Sequence, residues 1–236
     1  MHHWPLLLFT LALQISAGGF LALALLALRQ EKSTWKECAY LAACAVFGTL
    51  CSLAHLGDMF GAYRALANVG SSWLSREVWL VSIFTILALL SAYQAKRKIV
   101  SKGLLWVTAC FGLLGVFASC AVYATTSMPQ WTLFAQFPYL AFFASTLLLG
   151  PSLVFLLRTQ ATTIVTLLIA LGAVLLLLSA SYVPPSSFSF LRFLIAGLGI
   201  VGMVFGIYKR PDSLAPASLI LVAVGEGMGR YLFFAE

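Results

Sequence analysis

The sequence predicts an all-α integral membrane protein, a single domain (residues 1–236) built as a bundle of eight transmembrane helices. Three observations predict it. The chain of 236 residues is 62% hydrophobic and only 9% charged, where soluble domains average about 25% charged. Its mean hydropathy of +1.01 leaves too few polar side chains to cover a globule against water. The apolar residues run in eight continuous stretches, each close to the roughly 20 residues that cross about 30 Å of hydrocarbon as a helix.

Those stretches are about 5–28, 37–57, 77–94, 103–125, 135–157, 161–182, 190–208 and 213–234. Their continuity argues for helices, which satisfy their backbone internally. A membrane barrel would instead alternate over segments of about 10 residues. The first stretch lacks a Lys/Arg-rich start and outruns a signal-peptide core, so it is read as a retained span.

The net charge of +7 does not point to nucleic acid, because the basic residues sit in short clusters between apolar runs. Arg29, Lys32, Lys36, then Lys96, Arg97, Lys98, Lys102, then Arg158, then Lys209 and Arg210 lie on one side of the predicted topology. Arg64, Arg76, Arg192 and Arg230 lie on the other. The bias of ten to four places the first set in the cytoplasm and both termini on the outer side of the membrane. Arg192 and Arg230 are counted here as residues near the outer ends of spans 7 and 8.

Cys38, Cys44, Cys51, Cys110 and Cys120 show no CxxC spacing and read as small membrane-buried residues. The quartet an iron–sulfur cluster needs is missing. A single in-span histidine, His55, cannot supply the two axial ligands of a bis-histidine haem. No metal site is expected, and electron chemistry would require a mobile cofactor with the fixed redox centres in another subunit.

The informative residues are the ionisable and polar ones near or inside spans. His55 stands near the outer end of span 2, and Glu77 opens span 3 at similar depth. A base and a carboxylate so placed suit proton handling. Each also has a structural explanation, His55 as an interface histidine and Glu77 as a helix N-terminal carboxylate near a Ser75 cap. Arg64, in the long connection 58–76, could pair with Glu77 or Asp58, or meet lipid phosphate. The same connection holds a stretch, MFGAYRALA, able to form a short interfacial helix. Arg192 reads as an arginine facing lipid headgroups. Glu226 and Arg230 are spaced i,i+4 and can pair on one face of span 8, with Gly225, Gly227 and Gly229 admitting a neighbouring helix or a ligand. Gln14, mid-span, reads as an amide bonded to another helix or to a ligand. Trp4, Trp73, Trp131 and Tyr123 fit an outer aromatic belt. No internal duplication is evident.

These residues carry a resemblance. Trp4-Pro5-Leu6, Phe9-Thr10, Gln14 and Ala17-Gly18-Gly19-Phe20 are followed by His55-Leu56-Gly57, Arg64-Ala65, the run Ser71-Ser72-Trp73-Leu74-Ser75-Arg76-Glu77, then Gly225-Glu226, Gly229-Arg230 and Phe233. Together they resemble the membrane-anchor subunit family of anaerobic dimethyl sulfoxide reductases. Residues about 95–220 match only in hydropathy, and the connection near Pro184-Pro185 is shorter than in familiar members.

The resemblance implies a subunit that is not an enzyme on its own. It implies a complex with a molybdopterin catalytic subunit and an iron–sulfur subunit in anaerobic respiration. It also implies menaquinol as electron donor, with His55 and Glu77 as quinol proton acceptors. Arg64, Gln14, Glu226 and Arg230 are further candidates for the quinol pocket. Three alternatives stay open: a purely structural anchor, the quinone-reactive subunit of a related polysulfide or tetrathionate reductase, and a small-solute transporter. The last is disfavoured because the ionisable groups collect toward one face.

Overall fold

In a computed structural model, residues 4–55, 66–125, 136–158, 163–182, 186–209 and 211–235 are described, without the side chains of residues 55, 208–209, 211–213 and 232–235. Among them the protein forms eight helices: α1 Trp4–Leu28, α2 Trp35–His55, α3 Trp73–Lys96, α4 Lys102–Ala124, α5 Gln136–Arg158, α6 Thr163–Ala180, α7 Ser187–Lys209 and α8 Pro211–Ala235. Seven are long and apolar enough to cross a membrane. The exception, α8, carries Glu226 and Arg230 along its length. The molecule is a multi-pass helical membrane protein.

The ends of the helices follow local chemistry. Thr34 and Glu37 make a capping box at the start of α2, with the Thr34 N–H donating to Glu37 Oε2 (2.6 Å) and the Glu37 N–H donating to Thr34 Oγ1 (3.4 Å). Ser101 caps α4 by accepting from the Leu104 N–H (3.1 Å). α1 and α3 stop at residues in the left-handed region, Gln30 (φ 62°) and Lys98 (φ 60°). In each case two backbone N–H groups fold back on the last turn, Gln30 to Ala27 and Glu31 to Leu26, Lys98 to Ala95 and Ile99 to Gln94.

α3 begins at Trp73, one turn before the predicted boundary at residue 77. Ser72 is its N-cap, accepting from the Ser75 N–H. The expected Ser75 cap and the expected helix-opening role of Glu77 are therefore corrected. The charged pair Arg76-Glu77 made hydropathy place the boundary too late. Arg76 donates to the Val69 and Gly70 carbonyls (2.9 and 2.7 Å), and Trp79 Nε1 donates to the Leu66 carbonyl (3.1 Å). Residues 66–72 are thereby tied down onto α3. The rest of the expected interfacial helix, with Asp58 and Arg64, lies outside the described residues, as do Trp131 and Pro184-Pro185.

Packing divides the helices into two four-helix rings with the same neighbour order. α1 packs on α2, α2 on α3, α3 on α4 and α4 on α1; α5 packs on α6 and α8, α7 on α8, and α6 more thinly on α7. The rings join where α1 meets α5. A Cβ at Gly18 would lie 1.8 Å from the Thr146 carbonyl oxygen, and one at Gly150 2.2 Å from the Gly19 nitrogen. Only glycine permits this backbone-to-backbone contact, the way membrane helices gain packing where lipid offers no hydrophobic drive. The architecture repeats although the sequence shows no duplication. Outward-facing positions such as Leu177, Phe190 and Val201 are apolar and exposed, a surface suited to lipid.

At the end of the bundle opposite the start of α1, Arg158 of α5 donates to Glu37 Oε1 (2.5 Å), Glu31 Oε2 (2.6 Å) and the Lys32 carbonyl (3.3 Å). Arg158 thus clamps the α1–α2 connection rather than serving as a free surface charge. Gly18→Leu is expected to cost about 3 kcal/mol or more from overpacking. Gly103→Ala, where a Cβ meets nothing within 4 Å, should stay within about 0.5 kcal/mol; thermal unfolding of the detergent-extracted protein compares them. By the same measurement Arg158→Met, which strands the buried Glu37 carboxylate, should cost about 3 kcal/mol.

Candidate functional site

Two polar constellations occupy the apolar interior. The first lies near the end of the bundle where α1 begins. Glu77 stands one turn inside α3, about 6 Å below the start of the helix at 1.5 Å per residue. It is buried at 6% exposure. The Ser119 hydroxyl, on α4, donates to Glu77 Oε1 and also reaches the Gly115 carbonyl (3.1 Å). No cation pairs with Glu77 among the described residues. α2 packs against α3 and ends at His55, so the His55 backbone and Glu77 lie at the same end of neighbouring helices. The His55 side chain and Arg64 lie outside the described residues.

The second constellation sits deeper, where α1, α5, α7 and α8 converge. Arg230 Nη1 donates to Glu226 Oε2 (3.3 Å) and to the Glu226 carbonyl (3.0 Å). Arg230 Nη2 donates to Gln14 Oε1 and to Ser145 Oγ (2.9 Å). The Ser145 hydroxyl in turn donates to Glu226 Oε2. Arg192 Nη2 stands 3.9 Å from Glu226 Oε1. Gln14, Ser145, Arg192, Glu226 and Arg230 are all at most 3% exposed.

This set is held in place by helix packing. Gln14 and Ser145 are one turn from the glycine contact between α1 and α5. A Cβ at Gly229 would lie 2.2 Å from Arg192 Cζ, so glycine there opens the space the guanidinium fills. Gly225 does the same for the α7 backbone at Ala196 (2.9 Å to its nitrogen). Tyr123 and Phe142 lie between the two constellations. Their rings meet edge to face at 5.5 Å, the Arg230 guanidinium lies over Phe142 at 5.0 Å, and Tyr123 is near enough to feel the charges of both Glu77 and Arg230.

A family model for the DMSO reductase anchor subunit (DmsC) matches residues 1–185. The protein belongs to the DmsC family. Among its relatives, the C subunit of the anaerobic dimethyl sulfoxide reductase of Escherichia coli K12 is 32% identical over 173 residues, covering 68% of this protein and 59% of the relative. The corresponding C subunit of Haemophilus influenzae is 31% identical over 141 residues, covering 56% and 50%. The E. coli anaerobic dimethyl sulfoxide reductase subunit named YnfH is 29% identical over 192 residues, covering 76% and 66%. The protein thus spans about half to two thirds of the length of these relatives. The family match ends before α7 and α8, so Arg192, Glu226 and Arg230 lie beyond it.

For this DmsC-family protein, several expectations need correction. Arg192 is no headgroup arginine: it is 2% exposed and points into the bundle. Arg192 and Arg230 therefore leave the count of outer-side charges, and the bias becomes ten to two. Tyr123, at 4% exposure, belongs to the core and not to an aromatic belt; Trp4 is exposed and stacks on Tyr231 at 5.7 Å. The Glu226–Arg230 pair forms, but within a network that includes Gln14, Ser145 and Arg192.

The network reaches into the middle of α1. Gln14 stands about 15 Å into α1, near half the hydrocarbon thickness. Its ionisable members lie nearer the end where α1 begins: Arg192 is the sixth residue of α7 and Arg230 the sixth from the end of α8, each about 8 Å in, with Glu226 one turn deeper. Family membership and this placement toward one end of the bundle both weigh against a transporter. All five cysteines are free thiols; Cys38 and Cys120 are buried, Cys44 and Cys51 half-buried, and Cys110 exposed.

Ser119 and Ser145 were not foreseen, since a serine inside an apolar run carries no mark of its partner. A double-mutant cycle on Ser119→Ala and Glu77→Gln is expected to give a coupling of about 1–3 kcal/mol, the range for a buried hydrogen bond to a charged group. Thermal unfolding of the four proteins measures it.

Proposed function

We propose that this protein anchors a dimethyl sulfoxide reductase-type molybdoenzyme in the bacterial inner membrane, oxidises menaquinol there, and passes electrons to a partner iron–sulfur subunit. The single observation that carries this reading is Glu77: a carboxylate buried near one end of the bundle, held by a serine and unpaired with any cation among the described residues. A buried acid in a membrane span is costly without a partner and marks a functional site by default.

Menaquinol enters from the bilayer with its ring near the ends of α2 and α3. Its oxidation releases two electrons and two protons. His55 and Glu77 accept the protons, and Ser119 fixes the carboxylate in place. Arg64, Gln14, Glu226 and Arg230 complete the pocket at lower depth and from the connection. The electrons leave to the iron–sulfur subunit, docked at the same end, and reach the molybdopterin subunit that reduces the terminal acceptor. The quinone supplies the electron chemistry; the protein supplies position and proton acceptors. The surplus of basic residues at the opposite end supports a cytoplasmic placement of that end, which puts the proton exit on the periplasmic side.

The test uses His55→Ala and Glu77→Gln in the complex assembled with its partners. Both variants should still co-purify with the other subunits. Menaquinol oxidation should fall by about 100- to 10,000-fold, the worth of a positioned acid or base. Wild-type rates with unchanged affinity for a quinol analogue would overturn the proposal. Lost assembly with unchanged analogue affinity would favour a structural anchor.

A further inference from the structure

We propose that the deep polar constellation is a binding site for a neutral hydroxyl group, supplied by ordered water or by a hydroquinone ring. Four polar atoms in it have no hydrogen-bond partner among the described residues: Gln14 Nε2, Arg192 Nε, Arg230 Nε and Glu226 Oε1. Three are donors and one is an acceptor. They belong to side chains at most 3% exposed, at a depth where bulk water cannot serve them.

The donor and acceptor inventory selects the ligand. A hydroxyl oxygen accepts up to two hydrogen bonds from the amide and guanidinium N–H groups, and its own hydrogen goes to Glu226 Oε1. A carboxylate or phosphate would satisfy the donors but repel Glu226. A cation would be opposed by two guanidiniums, and an apolar group would leave all four atoms unmet.

An ion-pair lock does not account for the arrangement. Arg230 already holds Glu226 through Oε2. Arg192 is brought to the same carboxylate but stops 3.9 Å from Oε1, beyond hydrogen-bond reach. The fold accommodates that second guanidinium by keeping a glycine at 229. A lock would close this distance; a site leaves the oxygen open.

The neighbour order of the two rings gives independent support. Glu77 is the fifth residue of α3, and Arg192 the sixth of α7, the corresponding helix of the second ring. Each reaches a polar partner on the following helix, Ser119 on α4 and Glu226 on α8. The two rings thus carry polar sites at matching places, one acidic and one with a surplus positive charge. Only the hydroquinone source rests on the proposed quinol reading.

The experiment uses the full-length protein in phospholipid nanodiscs, wild type and the variants Arg192→Lys and Arg192→Met. The lysine variant keeps the charge and loses the Nε donor, which guards against a simple folding failure. X-ray hydroxyl-radical footprinting reads oxidation of Phe142, which is 2% exposed and labels only if water lies beside it. A titration with a fluorescent quinol analogue runs in parallel.

Bound water predicts Phe142 labelling in the wild type, unchanged by the analogue and several-fold slower in both variants. A ring hydroxyl predicts analogue affinity at least tenfold weaker in the lysine variant, with any Phe142 labelling suppressed by the analogue. An unlabelled Phe142 together with equal analogue affinity in all three proteins would overturn the proposal and leave a dry ion network. If His55 and Glu77 variants oxidise quinol normally while Phe142 labels in a variant-sensitive way, the quinol reading fails and this site stands.

Discussion

The approach of α1 to α5 is the contact on which the rest of the molecule hangs. Gly18 and Gly150 bring two backbones together where any side chain would overlap carbonyl or amide atoms, and Gly19 makes room for the Leu41 side chain of α2. That contact fixes the depth and rotation of both helices. It joins two four-helix rings that otherwise meet chiefly where α4 packs on α5, and more thinly where α1 touches α6 and α8. It also sets Gln14 beside Ser145, one turn away, and so defines the cleft into which α8 presents Glu226 and Arg230. In lipid, where apolar burial between helices gains little, this kind of close packing and the polar contacts it permits hold a bundle together.

Charge inside the bundle follows from that geometry. Arg192 and Arg230 face one carboxylate, Glu226, which leaves a surplus positive charge inside the bundle. Glu77 supplies a buried carboxylate without a cation of its own among the described residues. Taken as one set, the four formal charges cancel, and Tyr123 and Phe142 fill the space between them. A low-dielectric interior makes such balance matter over longer distances than in water. The two polar sites therefore share a field in which Tyr123 stands.

Much of this was legible in the sequence, and the part that was not has a physical reason. Continuous apolar runs located all eight helices to within a few residues, because a span must match the bilayer whatever its neighbours do. The start of α3 was misplaced because Arg76 and Glu77 lower hydropathy although helical geometry already holds from Trp73. Hydropathy also cannot tell which face a residue presents. Arg192 and Tyr123 therefore read as interfacial when both point inward. The i,i+4 spacing disclosed the Glu226–Arg230 pair, since both partners lie on one helix. Ser119, Ser145 and Arg192 reach partners across helices, and no local spacing encodes that. The capping box Thr34-Trp35-Lys36-Glu37 was readable in principle, and its carboxylate doubles as the anchor for Arg158.

The carboxylates bear most directly on whether the protein is more than an anchor. The sequence holds seven acidic residues, and among the described ones Glu37, Glu77 and Glu226 are buried. Glu37 is accounted for by a helix cap and by Arg158. Glu226 is accounted for in part by Arg230. Glu77 has a hydroxyl and nothing positive beside it among the described residues. An anchor needs only apolar helices and a docking face; burying an acid in this way costs stability and adds nothing to docking. A carboxylate kept near the membrane surface, where a proton can come and go, is instead what a hydrogen-abstracting site requires. The proposed reading gives proton exchange to Glu77 rather than to Glu226 for this reason: Glu77 stands one turn below the helix end, whereas Glu226 lies deeper and already holds Arg230.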